Sequence, residues 1–266
     1  MERRNLGCAV SPVLRDACVF LAKYASVMLG CGATCSRIQR NIDRMALAAG
    51  YRVELTILPA HCFVTLTDAD GMSYSHSYTI EHLPNDYALN TRLSHLSWRV
   101  ADGKITIDEA AEEFPRLLRC QRYHDWVTLL LVAAANASFC RIFGGDRVAM
   151  CIVALATMVG FSLKLLRTRA RVNYMIMTMA CAFTAAVAGT AGYVFDGITS
   201  TPEVALATSV LFLIPGIPYI NSVNDLLTDH YLCGFSRFIK ATIITACITV
   251  GLTAAFFLMK ISFTDL

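Results

Sequence analysis

Polar and helix-breaking residues cluster in an apolar stretch of the second half of the chain that ends at Asp225. The stretch has the sequence Leu-Ile-Pro-Gly-Ile-Pro-Tyr-Ile-Asn-Ser-Val-Asn-Asp. In a continuous helix, Pro218, Asn221 and Asp225 would lie on one face, at i, i+3 and i+7. An amide and a carboxylate inside hydrocarbon are costly and usually functional, as ligands or as proton carriers. The spacing therefore predicts a polar site for a small ligand, with Asp225 as the first candidate to carry a proton.

The two prolines of this stretch predict a broken helix. Pro215 and Pro218 have no N–H, so the carbonyls of Leu211 and Ile214 would lose their helical partners. In hydrocarbon such carbonyls must face protein, water or a ligand, and discontinuous helices of this kind build ligand sites at the middle of membranes. We expect Gly216 to act as the hinge. The alternative is a proline kink that serves packing only, with Asp225 at the water interface.

Three further polar residues complete the candidate translocation set. Asn136 lies in the first apolar run of the second half and is a candidate to line a polar path. Lys164 and Arg237 carry positive charge beside apolar runs, where either one would attract a carboxylate. The predicted ligand is therefore a small anionic or zwitterionic metabolite that bears a carboxylate.

No motif for a metal, a cofactor or covalent catalysis accompanies these residues. The CxxC or HExxH spacing that makes a metal site specific is missing from the candidate ligands of the first half, which are His61, His76, His82, His95 and Cys62. The GxSxG, Walker and GxGxxG motifs are absent from the sequence. The eleven cysteines are scattered, several of them within apolar runs, which predicts reduced thiols and not a disulfide scaffold. We expect no metal, no cofactor and no enzyme activity.

The elements that must position these residues follow from composition. Of the 266 residues, 56% are hydrophobic and 16% charged, against roughly 45–50% and about 25% in soluble domains. Residues 1–124 hold 27 of the 43 charged side chains, although they are the shorter half. The net charge of +3 supplies no basic field for a nucleic acid. The chain is predicted to be a membrane protein with two domains: residues 1–124 face water, and residues 125–266 face lipid.

Five apolar runs in the second half are each long enough to cross a bilayer core of about 30 Å. They cover residues 126–143, 147–166, 174–195, 204–223 and 238–259. The alternative, a set of buried helices in a large soluble core, fails because five such runs leave too little amphipathic surface to cover them. We therefore expect an α-helical bundle of five transmembrane helices.

The distribution of lysine and arginine predicts the orientation. With the N-terminus inside, nine basic residues flank the spans on the cytoplasmic side and three on the opposite side. This bias follows the positive-inside rule. We expect a cytoplasmic N-terminus and, after five spans, a C-terminus on the outer side.

The first half has the pattern of a cytoplasmic α+β domain. Helical periodicity covers residues 13–29 and 33–49, and strand-like alternation covers 52–58, 61–67 and 73–80. Helical periodicity returns over 85–100 and 107–120. Thr106 and Glu109 have the spacing of a capping box at the start of the last helix.

Several of these segments resemble the threonine/serine exporter family, and the resemblance covers almost the whole chain. It is nearest to the larger subunit of the short, two-subunit form of that family. The matching segments are Gly32-Ala33, Arg52-Val53-Glu54-Leu55, residues 121–126, Phe143-Gly144-Gly145-Asp146, Thr201-Pro202, residues 215–225, Gly234 and Arg237.

The resemblance implies a subunit of a secondary transporter in the bacterial inner membrane, with a periplasmic C-terminus. Family members export threonine and serine, or succinate-like dicarboxylates in the two-subunit form. One-chain members have more spans, so the resemblance also implies a small multi-span membrane partner subunit. A homo-oligomer stays open, and no nucleic acid is expected.

Two hypotheses from other classes remain beside this one. A membrane-anchored enzyme would place the chemistry in residues 1–124, but the missing motifs disfavour it. A regulatory scaffold subunit would use the same domain as a binding module, and its partner would then transport alone.

Overall fold

The computed structural model describes residues 11–80, 85–119, 124–170, 173–195 and 197–260, with the main chain alone at 167–170. It divides into two compact units. The first unit holds Met1–Gln121 and Ile217–Phe238, and the second holds Arg122–Gly216 and Ile239–Leu266. The first unit therefore includes a segment from the apolar half of the sequence. The predicted segment 121–126 and the predicted basic loop after residue 166 lie partly outside the described residues.

The first unit contains helices and strands in the predicted order. Among the residues described up to position 119, four helices accompany a three-stranded antiparallel sheet of order β1-β2-β3, in which Val64 of the central strand pairs with Leu55 and His76. The elements are α1 (Pro12–Gly30), α2 (Cys35–Ala48), β1 (Arg52–Ile57), β2 (His61–Thr67), β3 (Ser73–Thr79), α3 (Tyr87–Ala101) and α4 (Ile107–Leu118).

Helix α1 forms the centre of this unit, because it is buried along most of its length. Phe20 and Tyr24 of α1 pack against Phe114 of α4, with ring centroids 5.7 and 6.0 Å from it. On the sheet side, the Ser26 hydroxyl donates to the Thr79 carbonyl at 2.8 Å. A helix so apolar on every side is stable in water only when other elements cover it. Helix α1 therefore fixes both the sheet and the loop that follows Gly30.

The predicted capping box of α4 is confirmed. The Thr106 hydroxyl accepts from the Glu109 N–H at 3.2 Å, and the Glu109 carboxylate accepts from the Thr106 N–H at 2.7 Å. Two N–H groups that the helix itself leaves unpaired are satisfied in this way.

The second unit is helical over its described residues. Its elements are α5 (Asp125–Ile142), α6 (Arg147–Ala170), α7 (Tyr174–Gly189), the single turn α8 (Ala191–Val194), α9 (Pro202–Ser209), a 3₁₀ turn (Leu211–Leu213) and most of the last helix, α11 (Tyr231–Met259). The start of α11 belongs to the first unit, as does α10 (Gly216–Leu227) except for its first residue. Small residues let the helices of this unit approach closely. A Cβ at Gly160 of α6 would lie 2.9 Å from the Ala185 side chain of α7.

Among the described residues, four helices are long and apolar enough to cross a membrane: Asp125–Ile142, Arg147–Leu166, Tyr174–Val194 and Tyr231–Met259. A fifth span exists only if Pro202–Leu213 and Gly216–Leu227 count together as one bent span. The predicted break in the fourth apolar run, 204–223, is therefore confirmed. Its physical reason is Pro215, which cannot donate to a helix, and the preceding Ile214, which takes an extended conformation (φ −60°, ψ 125°).

Candidate functional site

The candidate site of the first unit is built on the short loop between α1 and α2. Gly32 has φ +94°, a conformation that favours glycine, and a Cβ there would lie 2.7 Å from Oδ1 of Asn85. The Asp86 N–H donates to the Cys31 carbonyl at 3.0 Å. This loop ends at Thr34, whose side chain forms no capping hydrogen bond with α2. The N-terminus of α2 therefore needs an acceptor from elsewhere.

Asp225 of α10 supplies that acceptor. Its Oδ1 accepts from the Cys35 N–H, the first of α2, at 2.8 Å, and the side chain is fully buried. A carboxylate at this position satisfies an orphan donor and meets the positive end of the helix dipole. Asp225 thus acts as the N-cap of a helix that begins 190 residues earlier in the chain.

Arg237 of α11 neutralises the Asp225 charge. Its Nη1 lies 2.9 Å from Asp225 Oδ2, and its Nη2 donates to the Ala33 carbonyl at 2.6 Å. The arginine side chain is only 18% exposed. A buried ion pair of this kind loses much free energy when one partner alone is removed, because the other charge remains buried without compensation.

Asn221 adds a third contact to the same loop. It lies one turn before Asp225 on α10, and its Nδ2 donates to the Gly32 carbonyl at 2.9 Å. We call the set Asn221, Asp225 and Arg237 the polar latch. It binds the main chain of Gly32, Ala33 and Cys35, so its contacts depend little on which side chains the loop carries.

A tight helical hairpin holds the members of the latch in register. Asp229 between α10 and α11 has φ +64°, and the His230 N–H donates to the Asp225 carbonyl at 2.9 Å. The Ser222 hydroxyl donates to the Gly234 carbonyl at 2.7 Å, across the two helices. A Cβ at Gly234 would lie 2.8 Å from Leu226, so glycine allows the two helices to pack this closely.

Buried thiols lie beside the latch. A hydrogen bond with the Cys233 thiol, burial and the nearby Asp225 carboxylate together raise the pKa of the Cys35 thiol. Burial, followed by the proximity of Cys233, raises the pKa of Cys62 to about 12. Thiols with raised pKa values stay protonated near neutral pH and are poor nucleophiles. No cluster of three or more histidine, cysteine or acidic side chains within metal-binding reach occurs among the described residues.

The carbonyls of Leu211 and Ile214, which were predicted to lose their helical partners, accept hydrogen bonds from other local N–H groups. The Ile214 N–H donates to the Leu211 carbonyl at 3.1 Å, and the Gly216 N–H donates to the Ile214 carbonyl at 2.9 Å. Both carbonyls therefore face protein, one of the three environments expected for them, because the extended Ile214 lets nearby N–H groups reach them. Pro215 is buried and Gly216 exposed at the start of α10, where Pro218 is half-buried.

Asn136 lies in the second unit and is almost completely buried. Its Nδ2 donates to Thr157 Oγ1 at 2.7 Å and to the Thr208 carbonyl at 3.0 Å. Asn136 therefore connects α5, α6 and α9 near the point where α9 ends. Sequence reasoning found the asparagine but missed its two partners, since threonines within apolar helices most often bond to their own backbone.

Lys164 also lies in the second unit, on α6. Its Nζ is 5.5 Å from the centre of the Phe161 ring, and the side chain lines a narrow cavity with Tyr174, Met177, Thr178, Cys181 and Leu213. The cavity measures about 10 Å³, which is room for roughly one water molecule. The eight predicted residues are thus divided between the two compact units: Pro218, Asn221, Asp225 and Arg237 lie in the first, and Asn136, Lys164, Pro215 and Gly216 in the second.

A second carboxylate organises the loops of the second unit. Asp146, before α6, accepts from the Ala149 N–H at 2.6 Å and from the Ser200 N–H at 2.8 Å. These two backbone hydrogen bonds lower the pKa of Asp146 to about 2. Its own N–H donates to Thr201 Oγ1 at 3.0 Å. Asp146 therefore ties together two of the segments, Gly144-Gly145-Asp146 and Thr201-Pro202, on which the sequence resemblance rests.

The described residues include several apolar helices long enough to span a membrane, and the first unit holds a small antiparallel sheet and a buried polar latch. These features are those of a multi-span helical membrane protein. Residues 19–259 match the family model described as "Putative threonine/serine exporter". Because the match covers most of the chain, the protein belongs to the threonine/serine exporter family and is a transporter, not an enzyme.

Curated relatives agree with this assignment at modest identity. The chain is 24% identical to the "Probable succinate transporter subunit YjjP" of Klebsiella aerogenes over 242 residues, which cover 90% of this chain and 91% of the relative. It is 23% identical to the protein of the same name from Escherichia coli, over 84% of this chain and 87% of the relative. It is 25% identical to the "Probable threonine/serine exporter" of Mycobacterium tuberculosis over 63% of this chain, which spans only 31% of that relative. No solved structure gives a significant match.

Proposed function

We propose that this chain is one subunit of a secondary transporter that exports small carboxylate-bearing metabolites across the bacterial inner membrane. The observation that carries the proposal is the end-to-end likeness to relatives named as succinate transporter subunits, which covers about nine-tenths of both chains. The relatives' names point to succinate, threonine and serine, and all three carry a carboxylate. The distribution of lysine and arginine supports a cytoplasmic N-terminus and a periplasmic C-terminus.

A small multi-span membrane subunit is the proposed partner. Two relatives are named as subunits, and the chain spans only 31% of the exporter from Mycobacterium tuberculosis. The described residues supply four candidate spans, or five if the bent pair counts as one span, and the proposed partner would add its own spans to these. The sequence has no ATP-binding motif, so we propose that an ion gradient or the substrate gradient drives export.

In the proposed cycle, the polar latch is the element with two states. In the structure, the Asp225 carboxylate pairs with the guanidinium of Arg237 and accepts from the first N–H of α2. A substrate carboxylate has the same charge and shape as the Asp225 side chain, so it can compete for Arg237.

Lys164 and Asn136 are the proposed polar groups of the path through the second unit. The cavity beside Lys164 holds roughly one water molecule, which is too small for succinate or threonine. We therefore propose that the described state is closed at this point and that α6 and α7 separate to admit substrate. Asn136, which connects α5, α6 and α9, would then exchange a protein partner for a substrate oxygen.

Metabolite efflux from a strain that lacks the gene tests the function. Cells loaded with labelled succinate, threonine or serine would express this chain alone, the proposed small membrane subunit alone, or both. The proposal predicts efflux of at least one of these substrates only when both are present. Efflux from the small protein alone would instead support the scaffold hypothesis, and efflux of none of the three would contradict the proposed substrate class.

A further inference from the structure

Helix α10 turns most of its polar side chains inward and large aliphatic side chains outward. Asn224 is the exposed polar exception, and its Oδ1 accepts from the Ser36 hydroxyl at 3.4 Å. Ser222 and Asp225 are fully buried, in contact with the hairpin and the α1–α2 loop. The outward side carries large aliphatic side chains at helical spacing: Ile217 (45% exposed), Ile220 (69%), Val223 (50%) and Leu227 (79%). A helix at a water-facing surface shows the opposite arrangement. This arrangement is suited to an apolar environment outside α10.

The outward apolar surface continues onto the first turns of α11. Leu232, Phe235 and Ile239 are exposed there, at steps of three and four residues, whereas Cys233 and Gly234 are buried. Helix α11 runs without a break from Tyr231 to Met259 and is one of the candidate membrane spans. Part of the outward apolar surface therefore lies on a helix that is itself long and apolar enough to cross a membrane.

We propose that the outward face of the α10–α11 hairpin, formed by Ile217, Ile220, Val223, Leu227, Leu232 and Phe235, contacts the acyl chains of the bilayer. This hairpin face seats the first unit on the membrane, while the polar latch holds the hairpin to the α1–α2 loop. The proposal requires the chain to be a membrane protein and does not depend on the transported substrate.

The chemistry of the hairpin face favours lipid over a protein partner. The six side chains of the face are aliphatic or phenylalanine, whereas the cores of protein interfaces are enriched in tyrosine, tryptophan, methionine and arginine. Tyr231, which is also exposed, lies at the turn of the hairpin. Asp229, the exposed acidic residue of the hairpin, lies in the turn between the two helices, where Tyr231 donates to it at 2.8 Å.

Tryptophan fluorescence in liposomes tests the proposal on the full chain. Leu227→Trp places the probe on the hairpin face, and Leu47→Trp is the matched control, because both leucines are 79% exposed and both belong to the first unit. Both variants carry Trp98→Phe and Trp126→Phe to remove the natural fluorophores. The liposomes contain phosphatidylcholine with or without bromine on the acyl chains, which quenches tryptophan by contact.

The proposal predicts blue-shifted emission from Leu227→Trp and a strong loss of intensity in brominated lipid, with little loss for Leu47→Trp. Blue-shifted emission without quenching would mean that a protein surface covers the face and would overturn the proposal. Red-shifted emission that aqueous acrylamide quenches, or equal quenching of both variants, would also overturn it. Ile220→Trp gives a second probe on the same face if Leu227→Trp does not fold, as judged by circular dichroism.

Discussion

Asp225→Asn is the most informative single substitution, because it removes the charge of the polar latch and keeps the shape of the side chain. The amide oxygen can still accept from the Cys35 N–H, and Arg237 keeps its bond to the Ala33 carbonyl. What is lost is the 2.9 Å ion pair, which leaves a guanidinium that is only 18% exposed without its counter-charge. Removing one partner of a buried pair costs about 3–5 kcal/mol. Since an acceptor for Cys35 remains, we expect the lower end, about 3 kcal/mol.

The assay is the unfolding of the full chain in mixed detergent micelles, compared with Asp229→Asn as the control. Asp229 is exposed and already has the positive φ that asparagine tolerates, so its substitution should stay within about 0.5 kcal/mol. The double variant Asp225→Asn/Arg237→Gln completes a cycle that should show a coupling of about 1–3 kcal/mol. Equal stabilities of the Asp225 and Asp229 variants, or strictly additive effects in the cycle, would refute the ion-pair argument.

Three further predictions concern other contacts. Asn136→Ala should lower the free energy of unfolding by about 1–3 kcal/mol, because Thr157 and Thr208 lose a buried partner. In the same unfolding assay, Ser138→Ala should be near neutral, since it removes a hydrogen bond within one exposed turn. Asp146 has its pKa lowered from 3.8 to about 2, so its contribution to stability is complete above the unfolded pKa and is lost as the pH falls through about 2. The stability difference between the wild type and Asp146→Asn should therefore be constant near neutral pH and shrink below about pH 4, and a constant difference down to about pH 2 would contradict the assignment. Gly32→Ala should lower the melting temperature more than Gly50→Ala, because both glycines have positive φ but a Cβ fits freely only at position 50. Equal melting temperatures of the two variants would contradict this prediction.

Local patterns were sufficient to predict most of the secondary structure. The alternation in the first half gives three strands, and the spacing of Thr106 and Glu109 gives the capping box, because both signals depend on neighbouring residues. The break at Pro215 was predictable as a break but not in its effect, since the extended Ile214 lets local N–H groups satisfy the carbonyls. The fourth apolar run therefore forms a bent pair of helices without free carbonyls for a ligand.

The sequence was sufficient to predict which residues form the candidate site, but not which groups they contact. Asn221, Asp225 and Arg237 stand out because they are polar groups in an apolar sequence. Their partners are main-chain groups of Gly32, Ala33 and Cys35, which lie about 190 residues away in sequence. Main-chain partners leave no side-chain motif from which they could be predicted. The glycine that ends α1 was the available signal for that loop. Pairing it with α10 required the tertiary structure.

Efflux from cells that carry Asp225→Asn shows whether the polar latch takes part in transport. The variant, the wild type and the Asp229→Asn control would each be expressed with the small membrane partner in the deletion strain, at equal amounts in the membrane. We expect that Asp225→Asn loses most of the efflux of labelled substrate, whereas Asp229→Asn keeps it. Wild-type efflux from a correctly inserted Asp225→Asn protein would contradict the claim that the polar latch takes part in transport.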